Sequence, residues 1–221
     1  MLKDKKFRVP RVWSNRELEK FAHLFSGKGV NVSGWKDIDK EGKKYRDYFL
    51  NISEYWITNY KSEARGFQGD QENEIFLDLE EDLDESMYYK FDVVFNHTVL
   101  EHIFDVNKAF ENLCQLSNDI VIVVVPFLQE QHADYGDYWR FTPLAVEKLF
   151  LKNNYELLYI NYNDSTNDSI YIFAIGTKNK GKWETIKNER NNQLNNIKTF
   201  FLGTKSIKNN LLFKIFTKEK F

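Results

Sequence analysis

The stretch DIVIVVVPF at residues 119–127 is the most apolar segment of the chain, and it decides the fold class. A continuous run of β-branched residues predicts a strand that is buried on both faces, as in a parallel sheet. Upstream of it, the amphipathic residues 105–116 predict a helix with Asp105 as its N-cap. Residues 91–96, FDVVFN, predict another strand. A strand, a helix and a buried strand in this order indicate a parallel α/β sheet.

The remaining segments extend this pattern in both directions. A helix is predicted at residues 14–25, where Ser14 and Glu17 form a capping box, and another at residues 142–152. Residues 36–48 are dense in charge and predict a loop. The sequence therefore predicts an α/β fold with a mostly parallel sheet, helices and one antiparallel strand. The further strands are predicted at residues 29–35, 53–60, 74–79, 155–162 and 170–177.

Charge is unevenly distributed along the 221 residues, although the net charge is only −2. Residues 178–221 contain 11 Lys and Arg against 3 Asp and Glu, and the preceding residues contain 20 against 30. An acidic body repels a polyanion, so nucleic acid is not expected as a partner. We expect a domain over residues 1–178 and a basic, asparagine-rich extension over residues 179–221. Packing of this extension in a homodimer and its peripheral contact with an anionic membrane are both left open.

Cysteine content and hydropathy bear on whether the protein is disulfide-linked, zinc-binding, secreted or membrane-spanning. The single cysteine, Cys114, excludes a disulfide framework and a multi-cysteine zinc site. The first residues contain no apolar segment typical of a signal peptide. The longest uninterrupted apolar stretch, residues 120–128, has nine residues. A membrane span needs about 18. We therefore expect a cytoplasmic protein.

Two motifs carry a resemblance to a known family. FDVVFNHTVLEH at residues 91–102 has the pattern FDxVxxxxVLEH, and DYWRFTP at residues 137–143 leads into a predicted helix. Together they resemble class I S-adenosylmethionine-dependent methyltransferases, in particular small bacterial members associated with surface-polysaccharide or natural-product assembly. The resemblance implies a Rossmann-like fold with a seven-stranded, mostly parallel sheet, a C-terminal antiparallel strand and helices on both faces.

The resemblance also implies S-adenosylmethionine as the cofactor. The family's glycine-rich turn, close to D-x-G-x-G-x-G, corresponds to NVSGWKD at residues 31–37, where Gly34 is the one matching glycine. Glycine lets the backbone approach a cofactor closely. The resemblance places Asn59 at the ribose and Asp78 at the adenine. The residues implied in cofactor binding are Ser33, Gly34, Asn59, Asp78, Asn96 and His97.

The segment after the buried strand supplies the residues expected at the methyl acceptor. His132 is the candidate general base, because it follows a strand end and its ordinary pKa suits proton transfer near neutral pH. Asp137, Tyr138 and Arg140 are candidate acceptor-binding residues, since carboxylates accept hydroxyl hydrogens and a ring covers the apolar face of a sugar. Arg140 could instead hold an anionic acceptor. An ion pair between Asp137 and Arg140 that pins the loop is the alternative.

No metal site is predicted from the sequence. His97 and His102 are five residues apart and lack the i, i+4 spacing of a helical ligand pair. The resemblance gives Glu101 and His102 a different role, because this pair closes the floor of the site in similar proteins.

The resulting hypothesis is an S-adenosylmethionine-dependent methyltransferase that O-methylates a carbohydrate or another small polar acceptor in surface-glycan biosynthesis. Methyl transfer from a sulfonium requires alignment, exclusion of water and, for a hydroxyl acceptor, removal of a proton. The alternative is a catalytically inactive protein of the same fold that binds a partner or a glycan. The single glycine of the 31–37 turn and the presence of Asn59 at the position implied for the ribose motivate this alternative.

Overall fold

The computed structural model describes residues 2–60, 66–67, 69, 72–132, 136–163 and 168–187. The helices are α1 (Leu2–Phe21), α2 (Val106–Leu116) and α3 (Pro143–Lys152). None of the helices in these residues is long and apolar enough to cross a membrane. The strands are β1 (Ser26–Val32), β2 (Asn51–Asn59), β3 (Glu74–Phe76), β4 (Phe91–His97), β5 (Ser117–Leu128), β6 (Glu156–Tyr162) and β7 (Ile170–Thr177).

The strands form a seven-stranded sheet in the order β3-β2-β1-β4-β5-β7-β6. β7 is antiparallel to both of its neighbours, β5 and β6, and the other neighbouring strands are parallel. The predicted fold class is therefore confirmed. The chain runs outward from β1 to β3 and returns to β4 on the other side of β1. The carboxyl ends of β1 and β4 thus form the topological switch point, where open α/β sheets bind ligands.

Both faces of the sheet are covered, which explains the continuous apolar sequence of β5. Alternate side chains of β5 belong to two different clusters of buried residues. The cluster that contains Val121 includes Phe110 of α2 and Phe150 of α3, whose ring centroids are 4.9 Å apart. The cluster that contains Ile122 includes Phe21 of α1. The prediction that this strand is buried on both sides is confirmed.

Helix α1 is longer than the sequence pattern predicts. The helix predicted at residues 14–25 begins at Leu2, so Ser14 lies inside it and is not its N-cap. Ser14 Oγ instead donates a hydrogen bond to the carbonyl of Arg11 at 2.8 Å and lies 2.8 Å from His97 Nε2. Most helical stability in proteins comes from tertiary packing, and the contacts of α1 with β7 override the local capping signal.

The connection after β1 is more structured than its charge density predicts. Strand β1 occupies Ser26–Val32, which corrects the predicted range 29–35. The loop predicted at residues 36–48 includes the 3₁₀ helix Tyr45–Tyr48. The side chains of Tyr45, Tyr48 and Phe49 are buried, because the aromatic residues between the charges join the core beneath α1.

The residues that follow β7 pack onto the domain as far as the structure describes them. The ring of Trp183 lies 5.2 Å from that of Phe25, and Ile186 is buried. The predicted domain boundary after residue 178 stays a prediction. Residues 188–221, with most of the basic extension, lie outside the described part of the chain.

Asp119 of β5 holds this C-terminal segment. Its carboxylate accepts hydrogen bonds from Thr177 Oγ1 at 2.8 Å, Lys182 Nζ at 2.5 Å and Trp183 Nε1 at 3.1 Å. Burial opposes the charge, but the hydrogen bonds outweigh it and lower the pKa of Asp119 below its ordinary value of 3.8. The charged carboxylate is therefore the form that stabilises the fold.

We expect Asp119→Asn to lower the free energy of unfolding by about 1–3 kcal/mol near neutral pH, because the buried Thr177 hydroxyl and two less buried donors, Lys182 and Trp183, lose a charged acceptor. A carboxyl group whose pKa is lower in the folded state stabilises the fold at pH values above its ordinary pKa. This contribution is lost as the pH falls through the lowered pKa. Urea unfolding of the wild-type protein and of Asp119→Asn should show a difference in the free energy of unfolding that shrinks as the pH falls below 3.8. The exposed Asp47→Asn change is the control. A difference independent of pH would contradict the ionic role of Asp119.

Candidate functional site

The turn after β1 is bonded to the end of β2. The backbone amide of Ser33 donates a hydrogen bond to Thr58 Oγ1, and the amide of Gly34 donates one to the carbonyl oxygen of Thr58, each at 3.2 Å. The amide of Trp35 donates to Asn59 Oδ1 at 2.7 Å. The three amides that a glycine-rich turn would offer to a ligand are therefore already bonded within the protein.

Asp37 holds the same turn from its other end. Its carboxylate accepts hydrogen bonds from Asn31 Nδ2 and the Tyr55 hydroxyl, both at 2.7 Å, and from the amide of Arg46 at 3.0 Å. Burial raises the pKa of Asp37, although these hydrogen bonds oppose it. The turn needs this support because several of its residues have a left-handed backbone, which costs free energy for residues other than glycine. They are Ser33, Trp35 and Asp37, with φ of 58°, 48° and 57°.

Three other predicted cofactor residues of this region differ in how far contacts within the protein already occupy them. They are Gly34, Asn59 and Asp78. A Cβ on Gly34 would lie 2.6 Å from Asn31 Nδ2, so a close approach within the protein requires this glycine. The carboxamide of Asn59 is buried and bonds both Trp35 and Glu74 Oε1, the latter at 2.5 Å. The partly buried carboxylate of Asp78 accepts a hydrogen bond from the amide two residues ahead at 2.9 Å. Asp78 is the more available of the two side chains.

Asn96 lies at the switch point. Its Nδ2 donates to the carbonyl of Val32 at 3.1 Å, which joins the ends of β4 and β1. Its Oδ1 is buried and has no hydrogen-bond partner among the described residues. Buried polar atoms are nearly always paired, so this oxygen fits a donor supplied by a ligand.

His97 faces α1 and the buried aromatic cluster. Its Nε2 lies 2.8 Å from Ser14 Oγ, and its ring centroid is 5.6 Å from that of Tyr45. Burial, with a contribution from the charge of Arg11, lowers the pKa of His97 to about 3. His97 is therefore neutral near physiological pH and is held by Ser14.

The predicted acceptor residues after β5 form an ion-paired unit. Arg140 donates to Asp137 through both terminal nitrogens, at 2.6 and 2.7 Å. Asp137 Oδ2 accepts the amide of His132 at 2.7 Å and lies 3.2 Å from its Nδ1. Burial opposes the charge of Asp137, but these hydrogen bonds lower its pKa to about 2. The structure thus contains the ion pair that the sequence left open as an alternative role for Asp137 and Arg140.

Glu101 and His102 lie against this unit from the end of β4. The Glu101 carboxylate is fully buried, and its Oε1 is 3.8 Å from His102 Nε2. Burial raises the pKa of Glu101 to about 7 and lowers that of His102. The ring centroids of His102 and His132 are 5.1 Å apart. Three titratable side chains therefore meet at the carboxyl ends of β4 and β5.

Arg11 is a partly buried charge that the sequence pattern did not reveal. It lies on α1, and its Nε has no hydrogen-bond partner among the described residues. Its charge lowers the pKa of His97 and opposes the rise in the pKa of Glu101. A helix predicted to begin at Ser14 leaves Arg11 outside the domain core, which is why its burial was not predicted.

An exposed aromatic surface adjoins the ion-paired unit. Phe104, Tyr138 and Trp139 are 68%, 52% and 37% exposed. The ring centroids of Phe104 and Tyr138 are 5.4 Å apart, and those of Phe104 and Trp139 are 6.3 Å apart. The amide of Tyr138 donates to the carbonyl of Glu101 at 2.7 Å, which fixes this surface beside the buried carboxylate.

A cleft of about 650 Å³ lies between α1 and the carboxyl end of β6. It is open to solvent and combines charged and aromatic side chains. None of its lining residues was predicted from the sequence, because the helix and the strand end that form it are far apart along the chain. Its lining includes Arg8, Trp13, Arg16, Glu41, Tyr162 and Asn163.

No family model and no curated protein matches the chain. Among solved structures, the chain is similar to the magnesium protoporphyrin IX methyltransferase of Synechocystis with bound SAH, at 11% identity and a TM-score of 0.53, covering 79% of this chain and 86% of that one. It is similar to an S-adenosylmethionine-dependent methyltransferase from Clostridium acetobutylicum, at 11% identity and a TM-score of 0.53, covering 79% and 95%.

A third similar structure is the 1,6-didemethyltoxoflavin-N1-methyltransferase of Burkholderia thailandensis, bound to 1,6-didemethyltoxoflavin and S-adenosylhomocysteine. It is 16% identical with a TM-score of 0.53, and the match covers 80% of this chain and 85% of that one. At these identities the similarity shows a shared fold.

Proposed function

From the fold that this chain shares with S-adenosylmethionine-dependent methyltransferases, we propose that it transfers a methyl group from S-adenosylmethionine to a hydroxyl of a small polar acceptor, such as a carbohydrate of a surface glycan. The observation that carries the proposal is the contact of His132 Nδ1 with Asp137 Oδ2, 3.2 Å apart, at the carboxyl edge of the sheet. A carboxylate that orients an imidazole in this way is typical of a general base.

In this proposal the cofactor lies at the switch point and is held by side chains. Asn96 Oδ1 is a buried acceptor without a partner, and the carboxylate of Asp78 can accept a further hydrogen bond. Because the turn amides are occupied, Ser33, Gly34 and Asn59 shape the wall of this site. When bound, the cofactor supplies a methyl group on a sulfonium. The neutral thioether that remains after transfer is the leaving group.

The acceptor hydroxyl lies in this proposal against His132, which accepts its proton through Nε2. Asp137 accepts the hydrogen of Nδ1 and thereby leaves the lone pair on Nε2. Tyr138 and Phe104 provide exposed rings on which the apolar face of a sugar can stack. The aromatic surface beside the histidine is the reason why we favour a carbohydrate acceptor.

Calorimetric titration of the purified protein with S-adenosylmethionine and S-adenosylhomocysteine tests the cofactor. Micromolar binding, followed by transfer of labelled methyl groups to sugars or nucleotide-sugars, supports the proposal. Failure to bind at millimolar concentration, with protein shown to be folded, would contradict it.

We expect Asp78→Ala to weaken binding of the cofactor by about 1–3 kcal/mol, because a hydrogen-bonding group of the adenine loses its partner. Titration of wild type and variant with S-adenosylhomocysteine measures the change. Glu81→Ala, at a nearby exposed position, is the matched control and should leave the affinity unchanged. An unaltered affinity of Asp78→Ala would show that the adenine lies elsewhere.

A second candidate function is a non-catalytic protein of this fold that binds a partner or a glycan. The specific observation in its favour is that all three amides of the 33–35 turn are bonded within the protein. This candidate predicts a folded protein that binds no cofactor and elutes in a complex with another protein in size-exclusion chromatography of cell extracts.

A further inference from the structure

Three potential metal-ligating side chains converge at the ends of β4 and β5. Glu101, His102 and His132 each offer a ligand atom, and these atoms all lie within 4.8 Å of one another. Two of the residues follow β4 and the third follows β5, so neighbouring parallel strands bring them to the same edge of the sheet.

The burial of the Glu101 carboxylate without hydrogen-bond partners among the described residues is the first indication that this cluster binds a ligand. The residue has no exposed surface, and neither carboxylate oxygen has a hydrogen-bond partner among the described residues. Burial of a carboxylate costs free energy unless the group is paired, bonded or protonated. Its raised pKa, about 7, has the same cause and supports the geometry.

The tautomers of the two histidines are the second indication. His102 Nδ1 lies 2.6 Å from the carbonyl oxygen of Gly136, and His132 Nδ1 lies 3.2 Å from Asp137 Oδ2. Carbonyl and ionised carboxylate oxygens only accept, so these two contacts place the hydrogen on each Nδ1 and the lone pair on each Nε2, although Gln129 Nε2 also lies 3.3 Å from His132 Nδ1. Metal-binding histidines show the same arrangement, in which the second ring nitrogen donates to a carboxylate or a carbonyl.

We propose that Glu101, His102 and His132 bind a divalent transition-metal ion through one carboxylate oxygen and the two Nε2 atoms. Two imidazoles and a carboxylate suit Zn²⁺ or Fe²⁺, whereas Mg²⁺ and Ca²⁺ prefer oxygen ligands alone. Three protein ligands leave a position for water or for an oxygen of the acceptor.

Metal binding requires a small contraction of the cluster. Ligands about 2.1 Å from a tetrahedral zinc ion lie about 3.4 Å apart. The separation of Glu101 Oε1 and His102 Nε2 is 3.8 Å, which is already close to this value. The side chain of His132 is 21% exposed on its loop, so it is the ligand that can move. Gln129 Nε2 lies 3.4 Å from His132 Nε2 and must turn away.

The competing explanation is that Arg11 balances the charge of Glu101. Arg11 is partly buried, with its Nε enclosed, and its charge acts on Glu101 electrostatically and would also repel a cation. Arg140 acts on Glu101 as well, but Asp137 pairs with it at 2.6 Å. In this alternative, Glu101 is a structural counter-ion and the cluster binds no metal.

The metal site goes beyond the proposed function and does not depend on it. The lone pair of His132 Nε2 cannot both bind a metal and accept a proton. With a metal bound, His132 therefore serves as a ligand, and the metal lowers the pKa of a bound hydroxyl in place of a base.

The test uses full-length protein without a histidine tag, stripped of metal with a chelator. We expect Zn²⁺ titration to show one ion bound with micromolar or tighter affinity, Co²⁺ to give the visible absorption of a protein-bound site, and Mg²⁺ to show no binding. Glu101→Gln and His132→Ala should each weaken Zn²⁺ binding at least 10-fold. Glu111→Gln and His23→Ala, at exposed positions, are the matched controls.

Two results would overturn the proposal. One is wild-type protein that is folded and does not bind Zn²⁺ or Co²⁺. The other is unchanged Zn²⁺ affinity in Glu101→Gln or, if that buried change prevents folding, in His132→Ala. Circular dichroism of each variant establishes folding. Because no arm of the test uses S-adenosylmethionine, its failure is distinguishable from failure of the proposed function.

Discussion

His132→Ala is expected to lower the rate of methyl transfer by roughly 100-fold or more, the usual loss on removing a general base. The affinity for S-adenosylhomocysteine should be unchanged, because His132 lies after β5, whereas Asp78 follows β3 and Asn96 lies near the end of β4. The backbone amide of His132 donates to Asp137, and alanine retains this bond, so the loop should keep its conformation. Single-turnover rates and calorimetry of the same preparations measure the two quantities.

The control for this variant is His23→Ala, which removes an exposed histidine from the 3₁₀ helix Ala22–Leu24. It should retain the wild-type rate. An unchanged rate in His132→Ala would contradict any direct role of this side chain. A reduced rate that is accompanied by loss of bound Zn²⁺ would assign His132 as a ligand, and a reduced rate without such a loss would assign it as the base.

Asp37→Ala is expected to lower the free energy of unfolding by about 3 kcal/mol or more. The change leaves the buried side chains of Asn31 and Tyr55 and the partly buried amide of Arg46 without their acceptor, and each buried unpaired donor costs about 1–3 kcal/mol. Urea unfolding monitored by tryptophan fluorescence measures the loss. Because Asp37 also holds the strained turn after β1, calorimetry should show an altered affinity for the cofactor in the same variant.

Asp47→Ala is the matched control for this change. Asp47 is an exposed aspartate of the neighbouring 3₁₀ helix, and its loss should change the free energy of unfolding by less than about 0.5 kcal/mol. A loss below about 1 kcal/mol in Asp37→Ala would show that other acceptors replace the carboxylate.

Proximity along the chain accounts for the grouping of residues 132–140, but it does not account for the bonding of the turn after β1. His132, Asp137 and Arg140 are close along the chain, and a short segment can bring them together locally. The occupation of the turn amides could not be predicted. It depends on Thr58 and Asn59, which belong to β2 and bond residues 33–35 only because β1 and β2 are paired.

Errors in the predicted elements have a similar origin. The capping box at Ser14 is a local signal, and the packing of α1 against β7 overrides it. By contrast, Asp105 accepts the amide of Lys108 and Thr142 accepts that of Ala145, as expected of their N-cap positions. At these two positions the local and tertiary preferences agree.

By itself, the sequence determined the fold class. The apolar run of β5, the amphipathic period of α2 and the two N-caps depend on neighbours along the chain, and these patterns are visible without coordinates. Only the tertiary structure decided which strand ends are neighbours, and therefore that Glu101 and His102 meet His132 and that the charge of Arg11 acts on Glu101. The physical reason is that the charge states and partners of these groups depend on burial and distance, which arise when β4 and β5 pair and α1 covers the sheet.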